Sequence, residues 1–369
     1  MKPIRVLHIL TALDRGGIET MLMNYYRNID TRKVQFDFLL HRKGEFAYSY
    51  EVRERGGRIY SVPNYNPLST EYTNALNSFF AEHKEYSIVH SHLNCLSAIP
   101  LKYAKINGVP VRIAHAHIII KGISLKNVYK IMAKREIRKY ATDYCACGVA
   151  AGNWMFPKEK IKVIHNAIDV EKFNTKNSFR NAYRKELGIT DSFVLGTVGR
   201  FTEQKNHLFL LKLVDILKET NLKLVIIGEG SLRKKYDDYI RKKGIQENVL
   251  ILNPRDDIPG LMNAMDVFVF PSKYEGLGIV AVEAQSSGLI TICSDNVPKE
   301  VEITESVDFL SLKESVWISK IKKLMSEGYH YFEQNNDKVL SSQFNIKKAA
   351  DELTLYYENL LNGSLNNET

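Results

Sequence analysis

Two carboxylates, an arginine–lysine pair and two histidine pairs are the side chains here whose types and spacing could do chemistry. Glu275 and Glu283 lie in the stretch DVFVFPSKYEGLGIVAVEAQSSG, seven residues between them. Glu275 precedes the turn Gly276-Leu277-Gly278, and a helix is expected from Ile279 until Gly288 closes it. A helix N-terminus entered through glycines offers free backbone N–H groups to an anion such as phosphate. A carboxylate one or two turns along such a helix can accept hydrogen bonds from sugar hydroxyls. The competing reading is that acids near a helix start merely favour its dipole. Arg200 and Lys205, in GRFTEQKN, follow the apolar run Phe193–Val198. A glycine turn carrying both can bring two cations to one diphosphate, although cations in a loop are more often solvated. His90 and His92 end one apolar run, His115 and His117 another, and a period of two puts both members of each pair on one face. A histidine at a strand end is more often just hydrogen-bonded than catalytic. Two such pairs raise the functional reading, and zinc is possible on residue type, with no further ligand spacing behind it.

The elements that must position these groups alternate. Strands are expected at 4–10, 35–40, 59–62, 87–92, 111–117, 143–148 and 161–164, with helices at 18–28, 71–83, 96–107 and 125–140. The second half repeats the rhythm, with strands at 193–198, 222–228, 249–252, 267–270 and 291–294 and helices from 207, to 243 and over 258–265. A last helix runs from 344 to about 361, with a frayed tail GSLNNET. Short apolar strands separated by helices argue for doubly wound parallel sheets. Ligands in such sheets bind beyond the C-terminal strand ends. The polar stretch 171–178 reads as an interdomain linker. Asp256-Asp257 is better placed to cap the next helix than to hold a metal.

At 369 residues, 44% hydrophobic and 25% charged, the chain suits two globular domains. Its apolar runs fall short of the ~18 residues that span a bilayer, and its first residues read as folded motif rather than a secretory signal. The expectation is a cytoplasmic protein, peripheral on the inner face of the plasma membrane. Cys95, Cys145, Cys147 and Cys293 have neither zinc nor redox spacing and read as core thiols. Residues 1–168 hold 25 Lys and Arg against 13 Asp and Glu, whereas the remainder holds 26 against 29. The first half therefore faces something anionic. Lys126, Lys130, Lys134 and Arg138 form one stripe on a helix. It is either a solvated face or, the favoured reading, a face held against anionic lipid. Nucleic acid is disfavoured, because no aromatic-interleaved basic patch accompanies the charge.

The P-S-x-x-E-G turn, the E-x7-E pair and the continuing E-A-x-x-x-G resemble the signature of retaining, nucleotide-sugar-dependent glycosyltransferases of the family 4 type, which have the GT-B fold. The resemblance implies an α/β architecture of two facing Rossmann-like, doubly wound domains with a central crevice. Residues 1–168 would bind the acceptor and 169–343 the nucleotide sugar, while 344–369 would pack back on the first domain. It implies that Arg200 and Lys205 bind the donor pyrophosphate, that Glu283 holds the ribose, and that Glu275 holds donor-sugar hydroxyls or stabilises charge near the anomeric carbon. His117 would lie near the donor sugar, with His115 a near rival. Gly16 and Gly17 would pack against diphosphate and acceptor, and Gly228 near the base. Asn166 matches the N-x-[VI]-D pattern after the first domain, and Gly276, Leu277, Gly278 and Ile279 form the anion-binding helix start. The sequence departs from the family at Gly278 and Ile290, where many members carry proline, and at Ala167, where glycine is usual. The function implied is transfer of a hexose, with retention and without a metal, from a UDP-sugar to a lipid-linked or saccharide acceptor in capsular or exopolysaccharide synthesis. A nucleotide-sugar 2-epimerase and a non-catalytic nucleotide-sugar sensor are the alternatives.

Overall fold

The computed structural model describes residues 2–118, 125–173, 178–328 and 330–366. The chain divides into two compact units, Met1–Ala167 with Ile346–Thr369, and Ile168–Asn345. In the first unit, β1 (Ile4–Leu10), β2 (Val34–Leu40), β3 (Ile59–Ser61), β4 (Ile88–Ser91), β5 (Val111–Ala116), β6 (Asp143–Ala146) and β7 (Ile161–Val163) form one parallel sheet, ordered β3-β2-β1-β4-β5-β6-β7. In the second, β8 (Phe193–Val198), β9 (Leu222–Ile227), β10 (Val249–Leu252), β11 (Val267–Phe270), β12 (Ile290–Ser294) and β13 (Val307–Leu310) form another, ordered β10-β9-β8-β11-β12-β13. Every residue of β2, β11 and β12 is buried, as expected of strands covered by helices on both faces.

The strand order matters more than the strand count. Both sheets reverse direction once, between β1 and β4 and between β8 and β11. The loops leaving the two central strands at such a point diverge to opposite faces, opening a crevice at their C-terminal ends. In the second unit the loops at that point carry Arg200 and Lys205 on one side and Glu275 to Gly278 on the other.

The C-terminal helix, Ile346–Asn366, belongs to the first unit. Its buried side chains Ile346, Ala349, Ala350, Leu353 and Tyr357 follow helical spacing and join the core formed by Val6, Phe36 and Ile88. Each large apolar side chain so buried contributes roughly 1.5–3 kcal/mol, which explains how a helix so distant in sequence is held.

Several expectations need correction. The helix continues through Gly363 to Asn366, so the tail is not frayed from Gly363; residues 367–369 lie outside the described residues. The division between units falls at Ala167/Ile168, ahead of the linker expected at 171–178. Val170–Phe173 is instead a helical turn whose Val170 and Phe173 are buried in the second unit, and 174–177 lie outside the described residues. Asp257 occupies the N-cap position of the helix Ile258–Asn263 without capping it. Its carboxylate accepts from Arg255, at 2.6 Å, and from Tyr183, at 3.1 Å, and those partners outcompete the cap. The structure adds the helices Ser49–Glu54, Val149–Met155, Ser178–Glu186, Glu314–Glu327 and Gln334–Ser341 and strand β13 to the expected elements; of these Glu314–Glu327 does carry a helical apolar spacing, in Trp317, Ile321 and Leu324. All four cysteines are buried thiols outside any disulfide.

Candidate functional site

Around the β8/β11 switch point the structure joins residues 70 positions apart. Lys205 Nζ donates to Glu275 Oε1 at 2.8 Å and lies 4.8 Å from the centroid of the Phe270 ring. Gln204 Nε2 donates to Glu275 Oε2 at 3.3 Å and to the Tyr274 carbonyl at 3.0 Å. The backbone closes the same seam, with Lys273 N–H donating to Gln204 O at 2.8 Å. Asn206, in the left-handed region at φ 56°, turns the chain into the helix His207–Leu217, and its side chain donates to Pro271 O at 3.1 Å. Arg200 is exposed at the rim and makes no ion pair among the described residues. The clamp through Gln204 had no sequence signal beyond its position beside Lys205.

The helix following Glu275 runs Ile279–Ser286 and is buried nearly all round rather than on one face. Gly278 stands at its N-cap with φ 96°, and a Cβ there would come within 2.9 Å of the Phe270 ring. The proline common in similar sequences needs φ near −65°, so this turn takes a conformation that proline cannot. Leu277 is buried in the core, leaving only its backbone to face a ligand, while Gly276, Gly278 and Ile279 are half-buried.

Glu283 is in the second turn of that helix. Desolvation raises its pKa to about 7, against the opposing field of Lys205, which also places the two groups as neighbours. Gly228 has φ 149°, and a Cβ there would sit 2.2 Å from Gly199 O, so only glycine lets the β9 loop lie against the β8 loop. Phe201 N–H donates to Glu229 O at 2.7 Å along the same contact.

In the first unit Gly16 and Gly17 begin the helix Gly17–Asn28. Beyond its chain neighbours and the helix's own backbone, no described atom lies within 4 Å of a Cβ built on Gly17, whereas one on Gly16 would meet the Glu19 carboxylate at 2.3 Å. Asn166 has its Oδ1 buried without a partner. Both histidine pairs lie on one face as the period of two requires, with ring centroids 4.3 Å apart for His90/His92 and 4.0 Å for His115/His117. A fifth histidine, His8, joins them from β1, where it registers with His90. Its signal was legible in LHIL of β1, but a single histidine carried no pairing. His8 Nδ1 lies 3.0 Å from His92 Nε2, and His92 Nδ1 lies 2.9 Å from His117 Nε2. His90 bridges His115 Nδ1, at 3.0 Å, and the Tyr357 hydroxyl, at 2.8 Å. His115 is fully buried, whereas His117 retains 8% exposure. Burial lowers the pKa of every one of the five, to about 3 for His8 and His117. Two groupings, His8/His90/His92 and His92/His115/His117, bring ligand nitrogens within 4.8 Å. Neither includes a carboxylate or thiolate to offset a dication, and a buried charge without compensation is costly.

The basic stripe is partly consumed by the fold. Lys134 Nζ donates to Trp154 O and lies 4.3 Å from the centroid of its ring, and Arg138 pairs with Glu159 at 2.9 Å. The Lys126 side chain lies outside the described residues, and Lys130 is half-buried. Among its described side chains this helix, Leu125–Ile137, exposes Tyr129, Ile131 and Met132, the last 63% accessible, together with Arg135. Nearby, Tyr65 reaches Tyr129 hydroxyl to hydroxyl at 3.4 Å. Tyr65, with His41, Lys43 and Glu71, lines a cavity of about 670 Å³ beyond the ends of β2 and β3.

Two doubly wound parallel sheets, each with one switch point, define a GT-B fold, and the grouping of cations and acids at the second switch point suits an anionic, hydroxylated ligand. Residues 15–172 match the model described as Glycosyltransferase Family 4, and residues 179–355 the model of Glycosyl transferases group 1. The chain is 38% identical to the putative glycosyltransferase EpsF of Bacillus subtilis over 88% of each chain. It is 30% identical to the UDP-Gal:alpha-D-GlcNAc-diphosphoundecaprenol alpha-1,3-galactosyltransferase of Escherichia coli, over 97% of this chain and 98% of that one. Among solved structures, that of Anabaena HepE in complex with UDP has a TM-score of 0.80 at 19% identity, covering 97% of this chain and all of that one, and supports the fold. The chain belongs to this glycosyltransferase family, whose similar members include capsular polysaccharide biosynthesis enzymes.

Proposed function

We propose that this glycosyltransferase moves a hexose from a UDP-sugar, with retention at the anomeric carbon, to a lipid-linked saccharide in bacterial surface polysaccharide synthesis. The observation that carries the reading is the grouping of Lys205, Glu275 and Glu283 at the β8/β11 switch point, with Arg200 free at its rim. The physical task in glycosyl transfer from a nucleotide sugar is the negative charge that grows on the leaving diphosphate. Lys205, Arg200 and the helix start after Gly278 meet that charge with fixed donors, which is electrostatic stabilisation of a developing anion. Such a site needs no metal, and we propose none. Glu283 accepts the ribose hydroxyls. Glu275 holds Lys205 in place and faces the donor sugar, and the family likeness supports retention.

The acceptor side is proposed for the first unit. Gly17, the exposed edge of His117 and the cavity beside Tyr65 supply open backbone, a polar ring and an aromatic wall suited to a saccharide, while the Glu19 carboxylate lies over Gly16. The neighbouring Tyr129, Ile131 and Met132 form an apolar contact for the cytosolic membrane face, with Lys130 and Arg135 toward anionic headgroups. The E. coli relative's name, with its UDP-Gal donor and diphosphoundecaprenol acceptor, supports both choices.

The deciding experiment screens UDP-, GDP- and dTDP-sugars for transfer to polyprenyl-diphosphate saccharides, with and without EDTA, and determines the anomeric configuration of the product. One UDP-sugar should turn over, unaffected by EDTA, with its α linkage kept. An inverted product would refute retention, and loss of turnover in EDTA would refute metal independence.

A pH dependence follows from Glu283. Its ionised form accepts the ribose hydroxyls, and with a pKa of about 7 that form is depleted as pH falls. UDP affinity should therefore be level above pH ~8 and weaken below pH ~7, approaching tenfold per pH unit. Calorimetry across this range on wild type and Glu283→Gln tests it; the variant should bind weakly and show no such slope.

A further inference from the structure

Within the histidine cluster, three imidazoles are joined end to end. His8 Nδ1 meets His92 Nε2 at 3.0 Å, and His92 Nδ1 meets His117 Nε2 at 2.9 Å. At one end His8 Nε2 is buried without a partner, while at the other His117 keeps 8% of its surface exposed. A neutral imidazole carries one N–H and one bare nitrogen. Both hydrogen bonds can therefore form only if all three rings carry their protons on the same kind of nitrogen, all on Nδ1 or all on Nε2.

The two registers are not equivalent. With protons on Nε2, each ring donates inward and the last N–H, on His8, is buried without an acceptor. With protons on Nδ1, each ring donates outward, the buried end is a bare lone pair, and the last N–H lies on the exposed side of His117, where water or a ligand accepts it. A buried N–H without a partner is the rarer and costlier defect. The Nδ1 register wins.

We propose that His8, His92 and His117 form one imidazole ladder in the Nδ1 register, so that His117 presents a neutral N–H to its ligand and donates to a substrate oxygen instead of taking a proton. His8 and His92 are positioning residues in this scheme. The ligand's identity rests on the function proposed above: the oxygen is a hydroxyl of the saccharide whose site is proposed for the first unit. For His117 to offer a lone pair at the same place, all three protons would have to change nitrogen together and strand one N–H in the core.

The test is nuclear magnetic resonance of the full chain carrying ring-15N histidine, with His117→Asn and His92→Phe used to assign signals. Long-range proton–nitrogen correlations report which nitrogen of each ring is protonated. The expected result is Nδ1–H for His8, His92 and His117 at neutral pH. A proton on Nε2 of His117, or rings in mixed registers, would overturn the ladder. So would stoichiometric binding of added Zn²⁺ at the cluster, since a metal would take the nitrogens that the hydrogen bonds use. A polyprenyl-diphosphate-linked N-acetylglucosamine added to saturation, with saturation read independently by calorimetry, should shift the His117 Nδ1 proton. No shift on saturation would overturn the donor role of its N–H. If the saccharide does not bind, the acceptor site proposed above fails, while the register measured without ligand still decides the ladder. In His92→Phe, kcat should fall roughly tenfold with UDP affinity unchanged. An unchanged kcat per folded molecule would show that the ladder only fills space.

Discussion

Replacing Lys205 with alanine is expected to lower kcat for transfer by about 10²–10³-fold, the cost typical of removing one preorganised donor from a developing anion. Lys205 is mostly buried, with its side chain 18% exposed, and is held 2.8 Å from Glu275 and against the Phe270 ring. Its charge is thus fixed in position before any ligand arrives, at a point where solvent screening is weak. In the free protein the charge is met by Glu275. A bound diphosphate would share Lys205 with that carboxylate, and the share would grow as the leaving group takes up charge. The measurement is kcat at saturating donor, together with UDP affinity. A pure binding role would raise KM and leave kcat near wild type, and that outcome would refute the transition-state role. Lys205→Arg keeps the charge but spreads it over a planar fork that cannot fill the same position, so it should recover only part of the loss. Because the alanine variant leaves the Glu275 carboxylate, 8% exposed, with Gln204 still donating to it, thermal unfolding must accompany the kinetics.

The second large effect is on stability. Asp266, just before β11, is 4% exposed and accepts from Arg180, from Arg184 at 3.3 Å and from the Val194 backbone N–H at 2.7 Å. The two guanidiniums are themselves largely enclosed, with side chains 12% and 7% exposed. Asp266→Ala would leave two buried cations and one backbone N–H without their carboxylate, a loss of about 3–5 kcal/mol. For a unit of this size that corresponds to a fall in Tm of roughly 6–20 °C. Asp266→Asn preserves shape and one acceptor and should lose less. Because Asp266 ties the starts of β8 and β11, and the candidate site lies beyond their ends, activity per folded molecule at low temperature should survive. A Tm within 2 °C of wild type, as estimated from the same scaling, would show that the arginines find other partners.

This anchor illustrates what was illegible beforehand. Arg180 and Arg184 stand in a short helix, SFRNAYRKE, whose apolar residues Phe179, Ala182 and Tyr183 give it a face but say nothing of what the two arginines reach. Nothing local signals that they reach a carboxylate more than 80 residues on. The basic stripe was legible only in part. Its spacing was correct for one helix face, but Lys134 and Arg138 are claimed by Trp154 and Glu159, partners that only folding brings near. The histidine pairs, by contrast, were legible as pairs because a strand's period of two is a property of the backbone itself. That His8 joins them depended on β1 lying beside β4.

The sequence by itself determined the elements and their type: apolar runs short enough for buried strands, glycine turns at their ends, and the E-x7-E stretch with its helix. These signals are local, because backbone geometry and burial of one face act over a few residues. The tertiary structure alone decided which loops meet. The orders β3-β2-β1-β4 and β9-β8-β11-β12 place one switch point in each sheet, and with it the contact between Lys205 and Glu275 and the three-ring ladder ending at His117. Such contacts join strands that are neighbours in the sheet and distant in the chain, and the packing of whole sheets against their helices selects that order.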